Sequence, residues 1–211
     1  MKILLTGFEP FAGEPINPSW EAVKALADYR QSVVSLMLPC VFDKSLEVLG
    51  DVARAIEPDI ILAVGQAGGR SGISLEKVAI NLNDARIADN AGNRPIDTPV
   101  IADAPNAYFS TLPIKRLAQA LKAQQIDAHV SYTAGTYVCN HLFFGARHLA
   151  ESLPQKPLAG FVHIPFLPEQ AQRHNDAPSM PLDTLVAALT VLVDELLAGG
   201  EDITVSAGTT H

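Results

Sequence analysis

The stretch that decides the fold is Asp59-Ile60-Ile61-Leu62-Ala63-Val64, which runs directly into Gly65-Gln66-Ala67-Gly68-Gly69. An uninterrupted apolar run of this length is typical of a strand buried on both faces, as in a parallel sheet. A glycine-rich loop after such a strand lets a ligand approach the backbone closely, although a plain tight turn is the alternative. The loop matches neither a P-loop nor a G-x-G-x-x-G fingerprint, so nucleotide binding has little support.

Outward from this stretch, strand-like runs alternate with helical patterns. The other predicted strands and extended runs lie at residues 3–5, 33–38, 75–82, 128–132 and 161–164. The predicted helices lie at residues 18–28, 42–56, 114–122, 138–149 and 182–196. This alternation predicts one three-layer α/β/α domain over residues 1–198, with a twisted, largely parallel sheet, followed by a loose tail at 199–211. In such sheets ligands gather at the carboxyl ends of the strands.

The composition narrows the class of protein. The chain has 211 residues, of which 48% are hydrophobic, so a disordered chain is excluded. It carries 15 Lys and Arg against 23 Asp and Glu, and this acidic balance argues against sequence-independent nucleic-acid binding. Its two cysteines, Cys40 and Cys139, exclude a disulfide framework.

The first residues do not resemble a signal peptide, and no apolar run approaches the roughly 20 residues that span a bilayer. We therefore expect a cytoplasmic protein with reduced thiols and no membrane contact.

Cys139 is the strongest candidate for a nucleophile. It follows Ala134-Gly135-Thr136-Tyr137-Val138, where a strand ends, a glycine permits a turn and a helix begins. Unpaired N–H groups and the dipole at a helix start favour the thiolate, and nearby N–H groups can stabilise an oxyanion. The alternative is a buried structural cysteine. Cys40 also follows a strand, but its surroundings offer no comparable base.

A cysteine nucleophile needs a base, and His163 is the best placed of the six histidines. It ends the strand Gly160-Phe161-Val162-His163, at the same sheet edge as Cys139. His141 is only two residues from Cys139 and therefore points to a different face of the helix. A hydrogen-bonded core histidine is the alternative for His163. A third group should orient this base, and the residues alone leave Glu76 and Asp84 as open choices.

Other features fit a small apolar pocket without a metal. Phe8 and Phe11 follow the first strand, where they either line a pocket or pack in the core. No Cys-x-x-Cys, His-Glu-x-x-His or calcium-loop pattern occurs, so neither a metal nor a cofactor is predicted. Residues 83–113 are rich in Pro, Asn and Asp, and a turning stretch of this length is often functional.

Together these residues resemble the pyroglutamyl peptidase I family of cysteine peptidases, also called pyrrolidone carboxyl peptidases. The resemblance extends over about residues 1–195 and rests on several motifs in their expected order. These are Thr6-Gly7-Phe8-Glu9-Pro10-Phe11, Asn17-Pro18-Ser19-Trp20-Glu21-Ala22, Gly65-Gln66-Ala67-Gly68-Gly69-Arg70, Glu76-Lys77-Val78-Ala79-Ile80-Asn81, Asp84-Ala85-Arg86-Ile87, Ala134-Gly135-Thr136-Tyr137-Val138-Cys139-Asn140 and His163-Ile164-Pro165.

The resemblance implies a role for particular residues. It implies that Cys139 is the nucleophile, His163 the base and Glu76 its orienting partner. The residues implied to hold the substrate's pyroglutamyl ring are Phe8, Phe11, Asn17 and the Gln66 loop, and Arg86 is implied to assist at the oxyanion. The implied enzyme is an omega-peptidase that acts on peptides with an N-terminal pyroglutamate and forms a homo-oligomer, a tetramer in particular.

Two other functions compete with this hypothesis. The glycine loop after a strand also suits a phosphorylase-like α/β enzyme, whose turnover would require phosphate. A small-ligand-binding protein that keeps the pocket without the chemistry is the other alternative, and the combination of Cys139, His163 and Glu76 argues against it.

Overall fold

The computed structural model describes residues 1–27 and 31–208, so Asp28, the last residue of the first predicted helix, lies outside it. The strands within this part of the chain are β1 (Ile3–Phe8), β2 (Val33–Leu38), β3 (Ile60–Gln66), β4 (Ile73–Glu76), β5 (Val78–Ile80), β6 (Ala107–Phe109), β7 (Ala128–Ser131) and β8 (Leu158–Ile164). The helices are α1 (Pro18–Ala27), α2 (Lys44–Ile56), α3 (Ile114–Ala123), α4 (Val138–Ser152), α5 (Pro168–Ala171) and α6 (Leu182–Ala198).

The central sheet has six strands in the order β2-β1-β3-β8-β4-β7 within the described chain. Every neighbouring pair is parallel except β4 and β8, which run antiparallel. The predicted mixed α/β fold with a largely parallel sheet is therefore confirmed. β5 and β6 form a separate antiparallel ribbon.

The apolar run in β3 is continuous because both of its faces are covered. Ile60, Leu62 and Val64 face a core that includes α1, α3 and α6, whereas Ile61 and Ala63 face a second core with α2 and α4. All five side chains are at most 1% exposed. Burying each larger one is worth about 1.5–3 kcal/mol of folding free energy, so these two layers supply much of the stability.

Local sequence sets the start of α1. Pro18 occupies its first turn, where a missing N–H is harmless. Asn17 is buried, and its Oδ1 accepts hydrogen bonds from the Ser19 N–H at 3.1 Å and the Ser19 hydroxyl at 2.8 Å. Asn17 therefore caps α1, and this cap fixes the loop that leads from β1 into α1.

The region 83–113 is more ordered than its composition suggests. Its carboxylate Asp89 accepts backbone N–H groups of Phe42, Ala91 and Asn93 at 2.8–2.9 Å. Burial alone would raise the pKa of Asp89, but the side-chain bond from Asn93 and these N–H groups hold it below its usual value. The same region contains β6, which the sequence does not reveal because two of its three residues are exposed.

The extended run predicted at residues 75–82 is divided between two sheets. β4 ends at Glu76 and β5 begins at Val78. The Lys77 N–H donates to the carbonyl of Ser131 at 2.7 Å, while the Lys77 carbonyl accepts the N–H of Ser110. The chain therefore leaves the central sheet at Lys77, just after it has placed Glu76.

The tail after α6 differs from the loose segment predicted. Residues 199–208 contain no helix or strand, but they are anchored to α3. Asp202 accepts the backbone N–H of Arg116 at 2.9 Å, and Lys115 Nζ donates to the carbonyl of Val205 at 2.6 Å. Because α3 follows Pro113, which provides no side-chain cap, Asp202 supplies the acceptor that its first turn needs. Residues 209–211 lie outside the described chain.

Among the helices of the described residues, none has both the length and the apolar character that a bilayer crossing requires.

Candidate active site

β8 carries His163 to the end of the central sheet. Its backbone lies opposite Gly65 of β3 on one side and opposite Ser74 of β4 on the other. The side chain is 5% exposed, and Nδ1 lies 2.7 Å from Glu76 Oε1. Since an ionised carboxylate only accepts hydrogen bonds, this contact assigns the proton of the neutral ring to Nδ1. The other ring nitrogen, Nε2, is then free to accept a proton.

The structure brings Glu76, rather than Asp84, to His163. Glu76 is fully buried, whereas Asp84 is exposed and lines a neighbouring cavity. Burial alone would raise the pKa of Glu76, but the hydrogen bond and charge of His163, the neighbouring Ser131 and the charge of Arg70 hold it below its usual value. Glu76 is thus an ionised buried carboxylate, as an orienting partner must be.

Cys139 reaches the same place from the start of α4. It is the second residue of that helix. The helix follows Tyr137, whose backbone is extended. A Cβ atom added to Gly65 would lie 2.9 Å from Cys139 Sγ, so the sulfur rests against this glycine. Gly65 is also the ladder partner of His163, and Cys139 and His163 line one cavity. The two predicted groups therefore meet across a single position of β3.

The electrostatics at Cys139 differ from the sequence expectation. Burial raises the pKa of the Cys139 thiol to about 12, the charge of Glu76 adds to this effect and Arg70 opposes it. The effect of burial thus outweighs the preference for the thiolate at a helix start. The resting thiol is therefore neutral at physiological pH. A neutral thiol needs a base when it attacks, and His163 is the adjacent candidate.

The cavity around these groups is small and mostly apolar. Its volume is about 190 Å³. This is below the roughly 300–1,000 Å³ that is typical of sites for drug-sized ligands, so the cavity suits a small ring. The residues that line it are Phe8, Phe11, Asn17, Cys40, Gln66, Ala67, Arg70, Ala134, Gly135, Tyr137, Cys139 and His163.

Four of the five predicted substrate-binding residues line this cavity. Phe8 is 2% exposed and also packs in the core beside Phe161, so both interpretations of Phe8 hold. The Asn17 amide is used within the protein, because Nδ2 donates to the carbonyl of Glu9 at 3.0 Å while Oδ1 caps α1. Gln66 Oε1 accepts Gln170 Nε2 at 3.1 Å, so the NH₂ group of this half-buried residue is not used in that bond.

Arg86 is the exception among these residues. It is exposed and lines a neighbouring cavity of about 450 Å³, which shares Phe11, Gly135 and Tyr137 with the first. The cation that acts on Cys139 is Arg70. Assistance by Arg86 at an oxyanion stays a prediction.

The cavity also contains residues that the sequence did not assign. Cys40 is buried there, and burial raises the pKa of its thiol far above the usual value. Arg70 reaches Glu76, and Gln170 fixes Gln66 from a distance of 104 residues along the chain. No signal in a single sequence points to Gln170. Arg70 belongs to the quoted glycine-loop motif, but nothing in that motif points to a contact with Glu76.

His141 has a different environment. It is fully buried on α4, where Nε2 accepts the backbone N–H of Asp43 at 3.0 Å and Nδ1 lies 3.0 Å from Asn83 Oδ1. Burial lowers the pKa of His141 to about 4, so it is neutral at physiological pH. This histidine joins α4 to two loops and takes no part in the cavity. Among the residues that the structure describes, no group of three His, Cys, Asp or Glu side chains could hold a metal.

We expect Gly65→Ala to reduce activity strongly. The new Cβ would lie 2.7 Å from the ring of Phe161 and 2.9 Å from Cys139 Sγ, so the sulfur must move. A shift of this kind is expected to lower kcat/KM by roughly 100-fold. Steady-state kinetics would measure it, with Gly208→Ala as the control because no atom lies within 4 Å of that Cβ. Wild-type kcat/KM in Gly65→Ala would contradict the inferred position of the sulfur.

A cysteine beside a buried histidine–carboxylate pair, at the edge of a largely parallel sheet, defines a cysteine-type peptidase, a hydrolase. The chain belongs to the pyroglutamyl peptidase family, whose model matches residues 1–198.

Known proteins resemble the chain along nearly its whole length. Pyrrolidone-carboxylate peptidase of Pectobacterium carotovorum is 53% identical over 212 residues, with 99% of each chain covered. Pyrrolidone-carboxylate peptidase of Bacillus cytotoxicus is 50% identical, again with 99% of each chain covered. The crystal structure of pyroglutamyl peptidase I from Bacillus amyloliquefaciens has a TM-score of 0.94 at 48% identity, and it covers 97% of this chain and 99% of its own.

Proposed function

We propose that this protein hydrolyses the amide bond after an N-terminal L-pyroglutamyl residue through a thioester on Cys139. His163 is the general base and acid, and Glu76 orients it. The observation that carries the proposal is the convergence of three groups: His163 bonded to the buried Glu76, and Cys139 Sγ resting on the glycine opposite His163. Family membership supports the same reaction class.

The geometry supports a mechanism in two stages. Glu76 holds the His163 Nδ1 proton, so Nε2 takes the proton of Cys139 as the sulfur attacks the substrate carbonyl. Backbone N–H groups at the start of α4 stabilise the resulting oxyanion. His163 then returns the proton to the leaving amine and the thioester forms. In the second stage His163 activates a water molecule, which releases pyroglutamate and restores the thiol.

The cavity chemistry favours a lactam over an ordinary peptide N-terminus. An ordinary N-terminus is an ammonium group, which needs a carboxylate when water is removed. The lining residues include no Asp or Glu. The lining residue with a permanent charge is Arg70, which is a cation. A pyroglutamyl ring has no ammonium group, so it loses little by entering. The Gln66 NH₂ group can pair with its ring carbonyl.

The proposal predicts strong selectivity between two amides of similar size. We expect release of a chromogenic amine from an L-pyroglutamyl amide, with kcat/KM roughly 10³-fold or more above that for the L-prolyl amide. Proline lacks the ring carbonyl, so it would displace water from the Gln66 NH₂ group without providing an acceptor. Both rates are measured in reductant and without phosphate. Absence of pyroglutamyl cleavage by the folded protein would refute the proposal, and cleavage only with phosphate would favour phosphorylase chemistry instead.

Assembly into a homo-oligomer, a tetramer in particular, is a further expectation of the family resemblance, and a cytoplasmic location is expected for a protein with reduced thiols. Both stay predictions.

A further inference from the structure

Arg70 makes contacts that its position in a glycine-rich loop does not suggest. Its Nη1 donates to Glu76 Oε1 at 2.6 Å and to Ser131 Oγ at 3.3 Å, and its Nη2 donates to the carbonyl of Thr133 at 2.8 Å. The guanidinium therefore joins the loop after β3 to the end of β4 and to the chain after β7. Its side chain is 29% exposed, whereas the carboxylate that it contacts is fully buried.

We infer that Arg70 is a positioning residue, which keeps the Glu76 carboxylate ionised and aimed at His163 and places a fixed positive charge beside Cys139. This inference rests on the proposed function, since it assigns Arg70 a part in the same reaction. It adds a fourth side chain to the three that carry the chemistry.

The burial of Glu76 is the first reason for this role. A buried carboxylate is costly unless it is paired with a positive charge. Within the described chain, Glu76 Oε2 has no hydrogen-bond partner, so the donors Arg70 and His163 share Oε1. Arg70 places a permanent positive charge in direct contact with the carboxylate. Without it, Glu76 would gain stability by taking up a proton and would lose its hold on the Nδ1 proton of His163.

The shape of the guanidinium is the second reason. Its planar fork donates from two nitrogens in fixed directions, and here these directions reach Glu76 and Thr133. A lysine ammonium would keep the charge but could not hold both contacts with the same geometry. Charge and orientation can therefore be separated by substitution.

The charge balance around Cys139 is the third reason. The titratable and charged groups around Cys139 and Glu76 are Arg70, His163, Cys40 and Tyr137. Glu76 opposes formation of the thiolate, and Arg70 offsets this effect. When His163 takes the thiol proton, the positive charges of Arg70 and His163 balance the negative charges of Glu76 and the sulfur. The site as a whole therefore stays neutral.

The test compares Arg70→Met, Arg70→Lys and the control Arg54→Met. Arg54 is a surface residue on α2 that pairs with Asp51. For Arg70→Met we expect a fall in kcat of about 10- to 100-fold with KM within about threefold of wild type. Arg70→Lys should recover part of kcat, because it restores the charge without the fork. Thermal unfolding of each variant confirms that the protein is folded.

A second readout needs no substrate. The rate at which iodoacetamide alkylates Cys139 is followed against pH by mass spectrometry, which separates Cys139 from Cys40. Loss of the neighbouring positive charge in Arg70→Met makes the thiolate harder to form, so the rising limb of this profile should move to higher pH. Arg70→Lys and Arg54→Met should keep it close to the wild-type position.

Two results would overturn the inference. One is a wild-type kcat and a wild-type alkylation profile in Arg70→Met. The other is a loss of kcat in both Arg70 variants that follows their loss of thermal stability, with no shift of the profile, since this would make Arg70 merely structural. If wild type and Arg54→Met fail to cleave the pyroglutamyl amide, the proposed function fails, and the alkylation profile still decides the role of Arg70 at Cys139.

Discussion

Replacement of Cys139 by alanine is expected to abolish turnover of the pyroglutamyl amide, with a loss in kcat of at least about 10⁴-fold. The variant has no nucleophile, and the remaining His163 and Glu76 can only activate water, for which the cavity is not arranged. The fold should survive, because removal of one sulfur from a cavity wall costs at most about 1–2 kcal/mol of the free energy of unfolding. Active-site titration and steady-state kinetics, together with thermal unfolding, measure both effects.

Two further variants make this test specific. Cys139→Ser keeps the size of the side chain but replaces the thiol with a far weaker acid, so it should also lose turnover. Cys40→Ser removes the other thiol of the same cavity, and it should still be alkylated at Cys139 and still release amine. Turnover that persists in folded Cys139→Ala, or that disappears only in Cys40→Ser, would show that another group carries the chemistry.

The central sheet could be predicted because its signals are local. The run 60–64 is apolar on every residue, which is typical of a strand covered on both faces, and the structure places successive residues in opposite cores. His163 and Cys139 could be paired by one rule, that parallel strands share their carboxyl edge. That rule needs the direction of the strands and not their detailed contacts.

The choice between Glu76 and Asp84 shows where such rules end. β4 has four residues and runs antiparallel to β8, with Ser74 opposite His163. A shift of one residue would turn Glu76 to the other face of the sheet. The register of so short a strand is set by tertiary packing, so the sequence could name both carboxylates but could not decide between them.

The parts that were missed depend on contacts between distant residues. Arg70 binds Ser131 across 61 positions, and Gln170 binds Gln66 across 104 positions. The tail is anchored because Asp202 caps α3, some 86 positions earlier. The pKa of the Cys139 thiol differs from the expectation for the same reason, because burial depends on every element that surrounds the sulfur.

Replacement of His163 by alanine is expected to have the second largest effect, a fall in kcat of about 10³- to 10⁴-fold. The resting thiol is neutral, since burial raises its pKa to about 12, and among the residues described as lining the cavity His163 is the base that can take its proton. Glu76 loses its principal hydrogen-bond partner but keeps Arg70, so the carboxylate stays paired and the fold should be retained. His129→Ala is the matched control, because His129 is exposed on β7 and bonds only to Ser74 Oγ among the contacts described.

The pH profile of the His163→Ala variant provides a signature that a damaged fold would not produce. Its residual activity depends on thiolate that forms without help, and below the thiol pKa this fraction rises about tenfold for each pH unit. Residual kcat should therefore climb steadily through the alkaline range, whereas wild type should not show this slope. Added imidazole should restore part of the activity, because the deleted ring leaves space beside Glu76 and the cavity. A single-turnover rate equal to that of wild type, or a residual rate that is independent of pH, would exclude His163 as the base and leave Glu76 without a group to orient.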